Sequence, residues 1–180
     1  MSTDWNDLYR STFPDLVRFL HRKVWDAERA RDLAQETFVR ALQHEPKKPR
    51  AWLFQVAANL ARDEARTVIR RRKHLALLKG EAEAQEEERV KDPAAVLSEQ
   101  ETWGRVREAL DALSEKDRDV LLLWDAGQSY TEIAKQTGLA VGAVGTTLAR
   151  ARRRLAEAYE RTGKEENEEG HEERTDVARR

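Results

Sequence analysis

The chain has 180 residues, with 33 Lys and Arg against 34 Asp and Glu, a net charge of −1. That balance argues against a general nucleic-acid coating protein, and the lack of cysteine excludes disulfides, thiolate metal sites and thiol redox sensing. With 8 Gly and 4 Pro a turn-rich all-β fold is disfavoured, whereas 37 % charged residues suit amphipathic helices with polar outer faces.

Charge alternates along the chain. Residues 62–79 carry seven bases and two acids, and 81–92 carry six acids and two bases. Residues 146–161 carry five bases and two acids, and 162–180 carry seven acids and four bases. Two basic patches joined by an acidic tether point to two separate contacts with a polyanion.

A first helix follows from the helical spacing of Leu8, Phe13, Leu16, Val17 and Leu20. A second is expected over 27–42, with Leu33, Phe38, Val39 and Leu42 as its apolar stripe. Residues 44–49 hold two prolines and two lysines and break it. A third run covers 51–74 or slightly beyond; Leu53, Ala57 and Leu60 share one face, with Trp52, Val56 and Asn59 beside it. A mid-helix Asn is unfavourable and needs a partner or a task. It is either a buried structural group or a reader of a flipped-out base edge. Trp52 and Phe54 read as core residues, with stacking platforms for a single strand as the alternative.

Residues 80–93 are almost all Glu, Ala, Gln, Lys and Arg with no stripe to bury, hence a linker. Apolar patterning resumes with Val96, Leu97, Trp103, Val106, Leu110 and Leu113. Ser114 is a helix N-cap that opens 115–125, and Gly127 closes it. Beyond residue 162 periodicity disappears, and the tail is expected to be disordered.

Residues 130–155 read as a helix-turn-helix. Ile133 and Ala134 lie on a short first helix, Gly138 permits the positive φ of the turn, and Val144, Leu148, Ala151 and Leu155 form the buried stripe of the second. Gly142, Thr146, Ala149 and Arg153 point away from that stripe, with Arg150 beside them. A recognition helix needs small and hydrogen-bonding residues toward base edges and arginines toward phosphate or guanine. A plain helical hairpin with a solvated Arg face is the alternative.

Asp32-Leu33-Ala34-Gln35-Glu36-Thr37-Phe38 is similar to region 2.2 of the extracytoplasmic-function-type sigma factors, the small class of the sigma-70 family that keeps regions 2 and 4 only. Residues 51–60 with Asp63 and Arg66 resemble the next helix of that region. Leu113, Arg118, Val120, Leu121, Leu122, Ser129-Tyr130-Thr131-Glu132-Ile133-Ala134, Gly138 and Arg150-Ala151-Arg152 resemble region 4. The resemblance runs from Leu8 to Tyr159 and is specific because its motifs occur together in order.

The resemblance implies an all-α protein of two small helical domains: region 2 over 1–78, an acidic linker over 79–95, region 4 over 96–161 and the acidic tail over 162–180. It implies that Asp32, Gln35 and Glu36 meet core RNA polymerase. Asn59 would capture an unstacked base of the promoter −10 element, with Arg62, Arg66, Arg70, Arg71, Arg72 and Lys73 on the phosphates of the melting strand. Thr146, Ala149 and Arg150, with Arg153 on the same face, would read the −35 element. The linker would run through the polymerase cleft, and an anti-sigma factor is the family's usual control. The sequence departs from the family pattern Gly-Thr-Val-Lys-Ser-Arg, with Gly145 and Thr147 at its two basic positions. Either the backbone at Gly145 approaches DNA or a partner closely, or −35 readout is weak; the arginines resuming at Arg150 favour close approach.

A sigma-mimicking adaptor would need neither Asn59 with its basic cluster nor a basic recognition helix. A helix-turn-helix repressor would need an apolar dimer face in the N-terminal half. No Ser/His/Asp, metal or phosphate-loop constellation supports an enzyme, and no cofactor is expected. No signal core or run of about eighteen apolar residues is seen, so a cytoplasmic protein without a membrane segment is expected.

Overall fold

A computed structural model describes the backbone of residues 4–44, 46–79 and 97–177, and side chains at 4–44, 46–70 and 102–163. Seven helices are found among these residues: α1 (Trp5–Val24), α2 (Ala27–His44), α3 (Pro49–Lys79), α4 (Leu97–Asp111), α5 (Glu115–Asp125), α6 (Tyr130–Thr137) and α7 (Val141–Val177). They fall into two compact units, Met1–Asp92 and Pro93–Arg180. The expected acidic linker lies outside the described residues, apart from Lys79 at the end of α3.

In the first unit α1, α2 and α3 pack against one another. Asp4 caps α1 by accepting from the backbone N–H groups of Asn6 and Asp7, and α1 ends at Trp25 in the left-handed region, φ 54°. Leu16 and Leu20 of α1, Leu33 and Ala34 of α2, and Leu53 and Phe54 of α3 form the core. Phe54 meets Phe19 edge-on, with ring centroids 5.4 Å apart. Burying these side chains is the main stabilising term, roughly 1.5–3 kcal/mol for each large one.

Two ion pairs set how α3 lies on its neighbours. Arg50 donates to Asp15 of α1 at 3.0 Å, and Arg29 of α2 donates to Glu64 of α3 at 2.7 Å. The hydrogen bond to Glu64 holds the Arg29 guanidinium more firmly protonated than usual. Both pairs are partly exposed, so they set the seating of α3 more than its stability.

The apolar stripe of α2 differs from the expected one. Val39 and Leu42 are each 54 % exposed, and the buried face is Ala30, Leu33, Ala34, Thr37, Phe38 and Ala41. Alanines let α2 approach its neighbours closely, and the Thr37 hydroxyl is satisfied by the Leu33 carbonyl at 2.7 Å. That phase turns Val39 and Leu42 outward.

In the second unit α4 and α5 both pack on α7, with α6 against α5 and α7. Ser114 caps α5 by accepting from the Asp117 N–H at 3.2 Å. Ser129 and Glu132 close a capping box at the start of α6. Gly138 has φ 70°, the left-handed conformation that the turn into α7 requires. Arg154 of α7 bonds the carboxylate of Asp117 at the first turn of α5, a pair 37 residues apart in sequence. Asp117 is buried at 6 % exposure, so Arg154 supplies the counter-charge that its burial demands.

The tail expected to be disordered over 162–180 instead continues α7 to Val177. Its Glu, Lys and Arg residues have good helix propensity, no proline interrupts them, and extending a formed helix avoids the cost of nucleation. An apolar stripe is the signature of a packed helix, and its absence does not forbid a helix.

Candidate nucleic-acid interface

On the first unit, α3 leaves the core at its middle and presents polar groups. Asn59 is exposed, while Ala58 and Leu60 on either side of it are buried. The buried structural Asn is therefore not what the fold contains. Arg62 donates from Nη1 to the Asn59 Oδ1 at 2.8 Å. Arg66 pairs with Asp63 at 3.4 Å, both largely exposed, and Arg70 reaches the Thr67 hydroxyl at 3.5 Å. Arg71, Arg72 and Lys73 continue the same helix, and their side chains lie outside the described residues. Phe54 is fully buried, hence core, whereas Trp52 is half-buried with its ring 5.6 Å from that of His44.

A second surface of this unit lies on α2. Asp32 and Gln35 are exposed, and Glu36 is partly exposed and paired with Arg40. Val39 and Leu42 follow Asp32 and Gln35 at intervals of three and four residues and so extend the same face. The result is a mixed acidic and apolar strip, the apolar part of which sequence periodicity had assigned to the core.

On the second unit, Thr146, Ala149, Arg150 and Arg153 are all exposed on α7, over a buried row of Val144, Thr147, Leu148 and Ala151. The Thr146 hydroxyl donates to the Ala143 carbonyl at 3.0 Å. Arg150 lies 3.5 Å from the Thr147 hydroxyl, and Arg153 lies 3.6 Å from Glu157. Arg154 turns the other way, to Asp117.

The two departures from the family pattern have separate structural settings. Thr147 is buried at 4 % exposure, where a long basic side chain would have to be desolvated. Gly145 faces the Tyr130 ring of α6, and a Cβ there would lie 3.5 Å from it. The nearest neighbour of this glycine within the fold is thus an intramolecular ring at ordinary van der Waals distance. Tyr130 in turn lies 5.3 Å from Trp124, over which the Arg152 guanidinium sits at 5.8 Å. Because 3.5 Å is ordinary van der Waals contact, Gly145→Ala should fit without displacing Tyr130. It is expected to stabilise this unit by roughly 0.5–1 kcal/mol through helix propensity. Urea unfolding of the two proteins checks this; a destabilised variant would mean that the ring is less tolerant than its spacing indicates.

The chain matches the family models "Sigma-70 region 2" over residues 8–73 and "Sigma-70, region 4" over residues 103–155. It is 30 % identical over 166 residues to the RNA polymerase sigma factor YlaC of Bacillus subtilis, covering 89 % of this chain and 94 % of that protein. It is 33 % identical over 150 residues to the ECF RNA polymerase sigma factor EcfG of Rhodopseudomonas palustris, covering 79 % and 78 %. The chain belongs to the sigma-70 family, in its extracytoplasmic-function class.

The fold of this sigma factor is shared with solved relatives. The sigma factor RpoE of Bartonella quintana, seen in complex with the anti-sigma factor NepR, superposes with a TM-score of 0.59 at 24 % identity. That match covers 87 % of this chain and 97 % of that one. CnrH, seen with the cytosolic domain of CnrY, gives 0.57 at 24 % identity, covering 84 % of each. A sigma factor binds core RNA polymerase and directs promoter-specific initiation, with regions 2 and 4 mediating −10 and −35 recognition and core binding. Among the described residues no helix is long and apolar enough to cross a membrane.

Proposed function

We propose that Asn59 captures an unpaired base of the −10 element, while Arg62, Arg66, Arg70, Arg71, Arg72 and Lys73 follow the phosphates of the opened strand. The observation that supports this most is the exposure of Asn59 amid the buried row of α3, at the start of a run of basic residues. An exposed amide at that place offers a base edge both a donor and an acceptor. Opening the duplex then needs no nucleotide hydrolysis. Tighter binding of unpaired than of paired bases shifts the melting equilibrium by the difference in affinity. The protein acts as a non-enzymatic subunit, in the cytoplasm.

Thr146, Ala149, Arg150 and Arg153 form the −35 surface, with α7 in the major groove. Arg150→Ala is expected to weaken duplex binding across promoters and to lower the salt slope of binding by about 1. Filter binding to a −35 duplex at several salt concentrations measures both; an unchanged slope would remove Arg150 from the phosphates and from the site. Asp32, Gln35 and Glu36, extended by Val39 and Leu42, form the surface that meets core polymerase. An anti-sigma factor controls this protein, as NepR is bound to RpoE.

The whole reading is tested by run-off transcription with core RNA polymerase and a randomised promoter library. Enrichment of two spaced boxes, each lost when its own surface is substituted, is the expected result. Enrichment of a −10 box alone would sink the assignment to α7.

A further inference from the structure

Where α3 leaves the bundle it keeps a large apolar side chain on its polar side. Among the described residues no side chain of α3 after Ala61 is buried, and Ile69 is 54 % exposed. A β-branched residue is only middling in a helix, and the burial that would favour one is missing here. A lone exposed isoleucine needs no explanation, but the place of this one does. Asn59, Arg62, Arg66, Ile69 and Lys73 follow one another at alternating intervals of three and four residues, so they form one row along the helix. Ile69 is the apolar member of the row on which the −10 reading places its amide and its cations. Arg66 and Arg70 flank it, held along the helix by Asp63 at 3.4 Å and by the Thr67 hydroxyl at 3.5 Å.

A cation in such a row answers a phosphate, and an amide answers a base edge. An isoleucine side chain answers neither, and what it gains on DNA is the burial of apolar surface. Cations on either side hold the helix alongside the strand, where base edges are presented in preference to base faces. The apolar group on those edges is the C5 methyl of thymine, which stays accessible whether the base is paired or not. Ile69 lies ten residues beyond Asn59, about 15 Å along α3. We propose that Ile69 is a specificity-determining residue of the −10 site, packing on the methyl of a thymine about four nucleotides from the base that Asn59 captures. This rests on the reading of α3 as the −10 helix and adds to it a second position of base choice.

The test uses holoenzyme assembled from this chain and core RNA polymerase, on the promoter that run-off selection yields. Each thymine in and around the −10 element is replaced in turn by deoxyuridine, which removes the methyl and leaves the pairing edge unchanged. One replacement, about four nucleotides from the position where Asn59→Ala has its effect, should weaken promoter binding by about fourfold. Ile69→Ala should weaken binding to the unmodified promoter by a similar factor and no longer tell thymine from deoxyuridine there. Ile69→Leu, which keeps an apolar side chain of the same size, should restore most of that preference. Unfolding temperatures of the three proteins should be alike, since Ile69 lies outside the core. A thymine preference that survives in Ile69→Ala would overturn the proposal, as would a promoter with no methyl-sensitive thymine at that spacing. Ile69→Ala weakening binding where deoxyuridine has no effect would show packing on a base face or on the polymerase, and overturns it equally. If Asn59→Ala and Arg66→Ala both leave promoter opening unchanged, the −10 reading of α3 fails and the proposal with it. With Asn59→Ala impaired and the methyl preference independent of Ile69, the proposal alone fails.

Discussion

Asn59→Ala is expected to lower open-complex formation by about 10- to 100-fold while leaving core polymerase binding within about twofold. The magnitude is that of one well-placed polar contact to a base edge, 1–3 kcal/mol at about 1.4 kcal/mol per factor of ten. The loss cannot be ascribed to unfolding. Asn59 is exposed, its contact with Arg62 is a local helix-surface bond, and Ala has the better helix propensity. Thermal unfolding should therefore be unchanged or slightly raised. Permanganate reactivity of the unpaired thymines reports melting, and co-elution with core polymerase reports docking. Because capture acts by population shift, affinity for a single-stranded −10 oligonucleotide should fall by the same factor as melting. Unchanged melting would dismiss Asn59 from the site and leave the basic run of α3 as a general phosphate track.

What the sequence made legible here is what local chemistry decides. The cap at Ser114 and the turn at Gly138 each depend on residues within four positions, and the structure has both. The bounds of α5 follow from such signals, Ser114 before it and Gly127 after it. Outward placement of Thr146, Ala149, Arg150 and Arg153 was equally readable, because one buried stripe fixes the phase of a helix.

Features set by distant residues were not readable in the same way. On α2 the apolar residues admit two phases, and the one realised buries Thr37 and three alanines in preference to Val39 and Leu42. A scan for large apolar side chains favours the other. The neighbour of Gly145 is the Tyr130 ring from another helix, which no local pattern names. The pair Arg154–Asp117 spans 37 residues and leaves no trace in periodicity. Arg154 looks in sequence like one more member of the basic run on α7. Arg154 is itself exposed, and its bond to the buried Asp117 carboxylate gives it a structural role that sets it apart from Arg150 and Arg153.

The residue for which the same distinction matters most is Phe54, two positions from Trp52 and five from Asn59. Phe54→Ala is expected to destabilise the first unit by about 3–5 kcal/mol, the usual cost of deleting a buried aromatic ring. Its ring is fully buried, meets Phe19 edge-on and lies under the Arg50 guanidinium at 5.4 Å, which is itself tied to Asp15 of α1. Against a total stability of roughly 5–15 kcal/mol for a small domain, such a loss consumes a large share. Melting activity would fall because α3 is no longer seated, although no group that touches DNA has changed. The conservative Phe54→Leu keeps most of the buried volume and should cost far less, with promoter opening near that of the unsubstituted protein. A stacking platform would behave in the opposite way. There Leu and Ala would both lose single-strand binding, because neither has a π face, while the unfolding temperature stayed put. Measuring unfolding and single-strand affinity on both variants separates the two roles, and stable Ala and Leu variants with equally impaired strand binding would move Phe54 from the core to the interface.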